Sequence, residues 1–229
     1  MSTPIRIISS MATRQVLADL IARFGDASEQ AVTVESVGGV DAAKRVRAGE
    51  AFDAVVLAGN VIDELTADGR IVAGSRVDLV RSGVAVAVRA GSPRPDIGTE
   101  DAVRRAVEAA RSISYSTGPS GVYLAKLFER WGIAEGVKAR LVTPPPGVAV
   151  GLLVADGRVE LGFQQMSELT NLPGIDVLGP LPPAIQTVTT FSAGIAAASL
   201  RPDAVRALLA FLASPAAEGA KVANGMEPA

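Results

Sequence analysis

Apolar positions along this chain follow two rhythms, one typical of strands and one of helices. Ile5 to Ser9 reads as a buried strand, and Val16, Leu17, Leu20, Ile21 and Phe24 then recur at helical spacing. Between them, Ser9-Ser10-Met11-Ala12-Thr13 forms a turn in which Thr13 is placed to cap the helix, and Gly25 is read as its end. The same unit returns twice. Ala31 to Ser36 alternates as a strand, Val37-Gly38-Gly39-Val40 turns, and Asp41 is placed to cap a helix through Arg47. Phe52 to Ala58 is a third strand, followed by Gly59-Asn60 and a short helix from Val61 to Ala67. Strand, small polar turn and helix in succession predict an α/β fold, its sheet mostly parallel with helices on both faces. Ligands of such sheets sit beyond the carboxyl ends of the strands, where these turns lie.

Val77 to Val88 continues the strand pattern into Arg89-Ala90-Gly91-Ser92-Pro93-Arg94-Pro95, whose Gly and Pro mark a loop. Thr99 is placed to cap a helix running to about Arg111. The stretch from Ser112 to Trp131 then repeats the unit: a short strand, a turn rich in Ser, Thr and Gly, and an amphipathic helix. That helix is predicted to bury Val122, Leu124, Leu127, Phe128 and Trp131 and to stop at Gly132. Val137 to Val142 reads as a strand closed by Pro144-Pro145-Pro146, and Gly147 to Ala155 as an apolar helix. Val159 to Phe163 reads as a strand that ends at Gln164-Gln165-Met166-Ser167-Glu168. Ile175 to Leu178 and Thr187 to Ala198 are further strand-like runs, and Asp203 to Leu212 and Ala216 to Val222 are helical.

Composition narrows the chemistry. Among 229 residues there is no Cys and no His. Disulfides, thiolate nucleophiles, imidazole bases, Ser-His-Asp triads and His- or Cys-ligated metals are therefore excluded, and no metal site or cofactor is expected. Catalysis would fall to carboxylates, Lys, Tyr, hydroxyls or backbone dipoles. A net charge of -2 without a basic run gives no footprint for nucleic acid. No apolar run reaches membrane-spanning length, and the first residues lack the pattern of a secretory signal. As written, the chain reads as soluble and cytoplasmic; it would be periplasmic if a signal had been removed.

Two turns offer themselves as anion sites, because free backbone N–H groups at a helix N-terminus carry about half a positive charge. The first is Ser9-Ser10. The second is Ser114-Tyr115-Ser116-Thr117-Gly118-Pro119-Ser120-Gly121. Each also reads simply as a capped helix start. The second is not a P-loop, because no Lys-Ser or Lys-Thr follows its glycines. Arg14, one turn into the first helix, can take a carboxylate through its two-pronged guanidinium. Tyr115 is a candidate proton donor, and Glu168 a candidate base. Two such helix starts in two halves of an α/β chain can face each other across a cleft, which Gln164, Gln165 and Ser167, placed after a strand, would help to line.

The strings Ile7-Ile8-Ser9-Ser10-Met11-Ala12-Thr13, Phe52-Asp53-Ala54-Val55-Val56-Leu57-Ala58, Gly118-Pro119-Ser120-Gly121 and Gly162-Phe163-Gln164-Gln165 resemble those of type II periplasmic binding proteins, in particular the molybdate-binding subgroup. The ending, Phe211 to Ala217 and Gly225 to Pro228, is similar to that family's last helices. The resemblance implies two α/β lobes, residues 1–82 with 193–229 and residues 83–192. They would be joined by two crossover strands, with a ligand in the cleft between them. It places oxyanion contacts on Ser9, Ser10 and Ser36 in one lobe, and on Ser116, Thr117, Ser120 and the Gln164 region in the other. It also implies an ABC transporter as a partner if the chain is exported.

A related branch resembles the aconitate isomerases, with which Ser-Ser-Met-Ala-Thr-Arg and Ser-Tyr-Ser-Thr-Gly-Pro-Ser-Gly are compatible. Two functions follow. The chain binds a small anion, an oxyanion such as molybdate or a small polycarboxylate. Alternatively, it isomerises an unsaturated tricarboxylate, with Tyr115 or Glu168 moving the proton and Arg14 holding a carboxylate.

Overall fold

Ile5–Ser10 (β1) lies between Val32–Val37 (β2) and Ala54–Ala58 (β3), parallel to both. The computed structural model describes residues 3–145 and 147–229. Pro146 of the triple-proline run, and Met1 and Ser2, lie outside the described residues. β3 is buried throughout and wholly apolar, β1 is buried except at Arg6 and ends in Ser9-Ser10, and β2, at the edge, alternates in burial. Arg14–Ala27 (α1) follows β1 through a single 3-10 turn, Met11–Thr13. Gly39–Arg47 (α2) and Gly59–Ala67 (α3) follow β2 and β3 directly. Ile5 and Ile7 face α1, while Ile8, Val55 and Leu57 face α2 and α3. The sheet of this part is therefore the middle of three layers.

Val77–Arg89 (β4) then carries the chain out of this first compact unit, Met1–Ser82 with Thr190–Ala229, into a second, Gly83–Thr189. The second unit contains Glu100–Ala109 (α4), Ile113–Tyr115 (β5), Pro119–Arg130 (α5), Ala134–Lys138 (α6) and Val150–Ala155 (α7). Leu161–Gln165 (β6), Met166–Leu169 (α8) and Ile175–Pro180 (β7) complete it. Here β5 runs parallel to β6, and β4 runs antiparallel to both β6 and β7. Val84, Val86 and Val88 of β4 pack against α4 and α5, with Leu127, Phe128 and Phe163. On the other face Ala85 and Ala87 meet Leu169 of α8. Small residues are required on that face: a Cβ on Gly162 would lie 2.5 Å from Val154 Cγ2 of α7.

Val188–Ile195 (β8) returns the chain to the first unit, where it pairs antiparallel with β3. Pro202–Leu212 (α9) and Glu218–Ala223 (α10) pack with α1 on the Ile5–Ile7 face, and Glu227–Pro228 (β9) pairs with the start of β4. Asp53 ties these parts together. It accepts bonds from the Arg6 backbone, from Ser199 at 2.7 Å and from the Arg201 guanidinium at 2.9 Å, and these donors hold its carboxyl below its ordinary pKa against the opposing effect of burial.

The structure corrects several local expectations. α1 runs through Gly25, which nothing crowds and which has no left-handed φ to end the helix. Gly38, not Asp41, stands at the start of α2, and Asp41 falls in its first turn. Val137 belongs to α6, and only Leu141 of the predicted strand bridges to Ile113. The run alternates, but Ile133 and Val137 also fit a helical turn, and packing decides between the two. Val122 is 55% exposed, because it lies off the Leu124–Leu127–Phe128–Trp131 stripe of α5. Among the described residues no helix is long and apolar enough to cross a membrane.

Candidate anion-binding turns

The parallel register of β1 and β2 places Ser9 beside Ser36, and their hydroxyls lie 2.8 Å apart. Ser9 is fully buried, and its hydroxyl also reaches the Ser10 carbonyl at 3.3 Å. Thr13 does not cap α1 with its side chain; its hydroxyl donates to that same carbonyl. The Ser10 hydroxyl is buried and has no partner among the described residues. A buried hydroxyl without a bond costs about 1–3 kcal/mol, so this group is suited to receive one from outside the protein. Arg14, the first residue of α1, is exposed, and its guanidinium makes no hydrogen bond or ion pair among the described residues. The turns after β2 and β3 lead into α2 and α3 with no side-chain cap, which leaves the first N–H groups of both helices unclaimed by a side chain.

The second unit has a comparable edge. The Ser116 and Ser120 hydroxyls lie 2.9 Å apart, with Ser120 buried and Thr117 exposed. The turn folds back so closely on α5 that a Cβ on Gly121 would lie 1.6 Å from the Ser116 carbonyl oxygen. α5, α7 and α8 all begin without a side-chain cap. By contrast α4, which starts elsewhere, is capped by Thr99 accepting from Ala102 N at 3.1 Å.

Tyr115 and Glu168 are not brought into contact. Tyr115 pairs with Phe163 in the sheet and packs edge-on against Phe128, with ring centroids 5.9 Å apart. Burial raises its phenol above the ordinary value, so at neutral pH it is a hydrogen-bond donor and not a base. Glu168 belongs to the other face. It accepts from Gln164 Nε2 at 2.7 Å, and Gln164 is one residue out of phase with Phe163. The residue is half-buried, and protein surrounds its carboxyl closely. Desolvation pushes its pKa up to about 7, against the lowering effect of the Gln164 bond. A carboxylate poised there can accept or release a proton near neutral pH.

Gln164, expected to contact ligand, is instead committed inside the protein. It is 3% exposed, and its Oε1 accepts from Gly151 N at 3.1 Å. Both glutamines belong to β6 and not to the turn beyond it, and strand alternation turns them to opposite faces. Gln165 is the better candidate. Its Nε2 donates to Thr189 Oγ1 at 3.0 Å, while its buried Oε1 has no partner. The period-two pattern of Leu161-Gly162-Phe163-Gln164-Gln165 was the signal that could have separated the two. An open groove of about 520 Å³ in this unit, lined by Val88, Arg89, Arg94, Arg111 and Glu160 among others, lies at the opposite end of β4 and β6 and contains none of these residues. Among the described residues no cluster of three carboxylates is placed to hold a metal ion.

Strands whose carboxyl ends feed uncapped helices, in two units threaded by β4 and β8, define an α/β fold of the periplasmic-binding-protein type. The chain belongs to the bacterial extracellular solute-binding proteins, whose family model matches residues 5–227. It is 42% identical over 187 residues to an aconitate isomerase of a Pseudomonas species, a match that spans 80% of this chain and 70% of that protein. In fold it is similar to the periplasmic molybdate-binding protein of Azotobacter vinelandii, with a TM-score of 0.80 and 18% identity over 97% of this chain and 98% of that one. It is likewise similar to the sulfate-binding protein of Mycobacterium tuberculosis, with a TM-score of 0.78 and 18% identity over 99% and 87% of the two chains.

Proposed function

We propose that this chain binds a small polycarboxylate and isomerises it, with aconitate as the substrate. The observation that carries this reading is the 42% identity to an aconitate isomerase across most of the chain. Arg14 supports it from the side of geometry. An uncommitted guanidinium at the start of the helix that follows the Ser9–Ser10 turn suits a carboxylate, which it can meet with two parallel hydrogen bonds. The turn at Ser116–Ser120 and the Gln165 amide are the ligand-bearing elements assigned to the second unit.

Isomerisation of aconitate moves one proton along an allylic system. The proton leaves the methylene carbon, the double bond shifts by one position, and a proton returns to the former vinyl carbon, so composition is unchanged. A single carboxylate can take the proton and give it back. Glu168, with its raised pKa, suits that role without any acid in contact with it. Tyr115, on the opposite face of the sheet from Glu168, takes no part in that step.

A second reading has its own support. Tyr115 and Glu168 belong to opposite faces of the sheet, as befits a receptor that holds an oxyanion without chemistry. Such a receptor would serve an ABC transporter. Proton NMR of cis-aconitate incubated with the protein tests the proposal directly. The expected result is conversion to the trans isomer, with thermal stabilisation by both isomers. Stabilisation by molybdate or sulfate with no conversion of aconitate would replace the isomerase by the receptor.

A further inference from the structure

We infer that Gln164 is a positioning residue that assigns the titrating proton of Glu168 to a single oxygen, Oε2. The argument starts from a group whose polarity is not in doubt. The backbone N–H of Gly151 can only donate, so the atom of Gln164 that faces it, 3.1 Å away, must be the amide oxygen. This fixes the orientation of an amide whose two ends are otherwise interchangeable. The amide nitrogen therefore faces Glu168, and it donates to Oε1 at 2.7 Å. The carbonyl oxygen of a protonated carboxyl is its better acceptor, so the oxygen that receives this bond is favoured to stay unprotonated. Protonation of Glu168 is left to Oε2.

The frame is stiff at both ends. Gln164 is buried in β6. A Cβ on Gly151 would lie 2.4 Å from Leu172 Cδ2 and 3.1 Å from Leu169 Cδ2, so α7 packs directly against α8 and the segment that follows it. The amide of Gly151 cannot slide away from Gln164 without breaking that packing.

No charge competes with this arrangement. Burial and the Gln164 bond are the influences on the Glu168 carboxyl. β4 presents Ala85 and Ala87 to α8, and β7 presents Ile175 and Val177. Asp176 of β7 accepts from Gly91 N and pairs with Arg94, and Asp156 at the end of α7 pairs with Arg158. Among the described residues Gln164 is thus the polar handle on Glu168, and it favours the ionised form.

The use of this proton in isomerisation rests on the function proposed above; its placement does not, and the experiment separates the two. In ligand-free protein labelled with ¹³C-glutamate, the Glu168 carboxyl carbon is followed by NMR through a pH titration, and its signal is assigned by its loss in Glu168→Gln. The wild-type protein is expected to titrate in one step near 7. Gln164→Leu removes the donor to the charged form, and the midpoint should rise by about one to two pH units. Gln164→Glu keeps an acceptor for Gly151 but sets two carboxyls side by side, so titration should split into two steps. If Gln164→Leu does not fold, as judged by circular dichroism, the Gln164→Glu titration decides. A midpoint unchanged in Gln164→Leu, or one ordinary step in Gln164→Glu, overturns the inference. Absence of aconitate turnover in the wild-type protein overturns the proposed function and leaves the titration to be read by itself. Where turnover is present, the acid limb of its pH profile should move with the NMR midpoint.

Discussion

The turn after β1 and the turn after β5 look alike as strings of Ser and Thr, yet they are assembled in opposite ways. The first is put together across the sheet. Ser9 and Ser36 come from different strands and meet because β1 and β2 are in register. The glycines of the adjoining turn after β2 have room, and the nearest atom to a Cβ on Gly39 would be Ser10 Cβ, 3.8 Å away. The second is local. Ser116 and Ser120 are four residues apart, and the backbone between them is folded so tightly that Gly121 has no space for a methyl group. One site depends on tertiary pairing and the other on a single knot of chain, so they should fail differently when altered.

The largest effect separates them by stability. Gly121→Ala forces the Ser116 carbonyl to move and should cost about 3 kcal/mol, a fall of roughly 6–12 °C in melting temperature. Gly39→Ala should stay within about 1 kcal/mol of the parent. Equal losses, measured by thermal unfolding, would erase the distinction drawn between a crowded turn and an open one.

The next effect separates them by charge. Arg14→Ala should weaken aconitate binding about a hundred-fold in calorimetry, from the loss of a charged hydrogen bond of about 2–3 kcal/mol. Its melting temperature should hardly change, because the side chain is exposed and engages nothing in the fold. Unchanged affinity would remove the first turn's advantage for carboxylates.

A third effect belongs to the second unit alone. The folded protein keeps a proton on Glu168 up to about pH 7, whereas an ordinary glutamate releases it near 4.5. Stability from this group is therefore fully present below about 4.5, declines as pH rises towards 7 and is level beyond. Glu168→Gln should flatten that decline in a series of melting curves. A variant that keeps the wild-type slope would assign the decline to other groups. The smallest effect returns to the first unit. Ser36→Ala should reduce affinity about five-fold, the equivalent of one neutral hydrogen bond of about 1 kcal/mol. A much larger loss would make the Ser9–Ser36 pair, and not Arg14, the main holder of the ligand.

Much of this was legible in the sequence, for physical reasons that differ from residue to residue. β3 is apolar throughout because both faces are covered, β1 carries Ile5, Ile7 and Ile8 into the core, and such runs stand out in any sequence. Ser9, Ser10 and Ser36 could be named because strand, turn and helix succeed one another with little between them. The pairing of Ser9 with Ser36 could not, because it depends on register. Gln164 and Gln165 were indistinguishable as composition. The strand runs two residues further than its apolar pattern, and its alternation then sends one amide inward to Gly151 and leaves the other with an unmet acceptor. The raised pKa of Glu168 arises from burial by α7, β4 and β7, which no local string encodes.

The uncapped helix starts have a consequence for engineering. Supplying the missing caps would be a routine route to a hardier protein, each new Ser or Asp adding about 0.5–2 kcal/mol. Ala58 and Ala149, the extended residues ahead of α3 and α7, are natural places to do it. An Asp at either position would bring a tethered oxygen to N–H groups that no side chain now claims. Variants selected only for heat resistance should therefore drift towards caps at these two positions, which the natural sequence leaves as alanine.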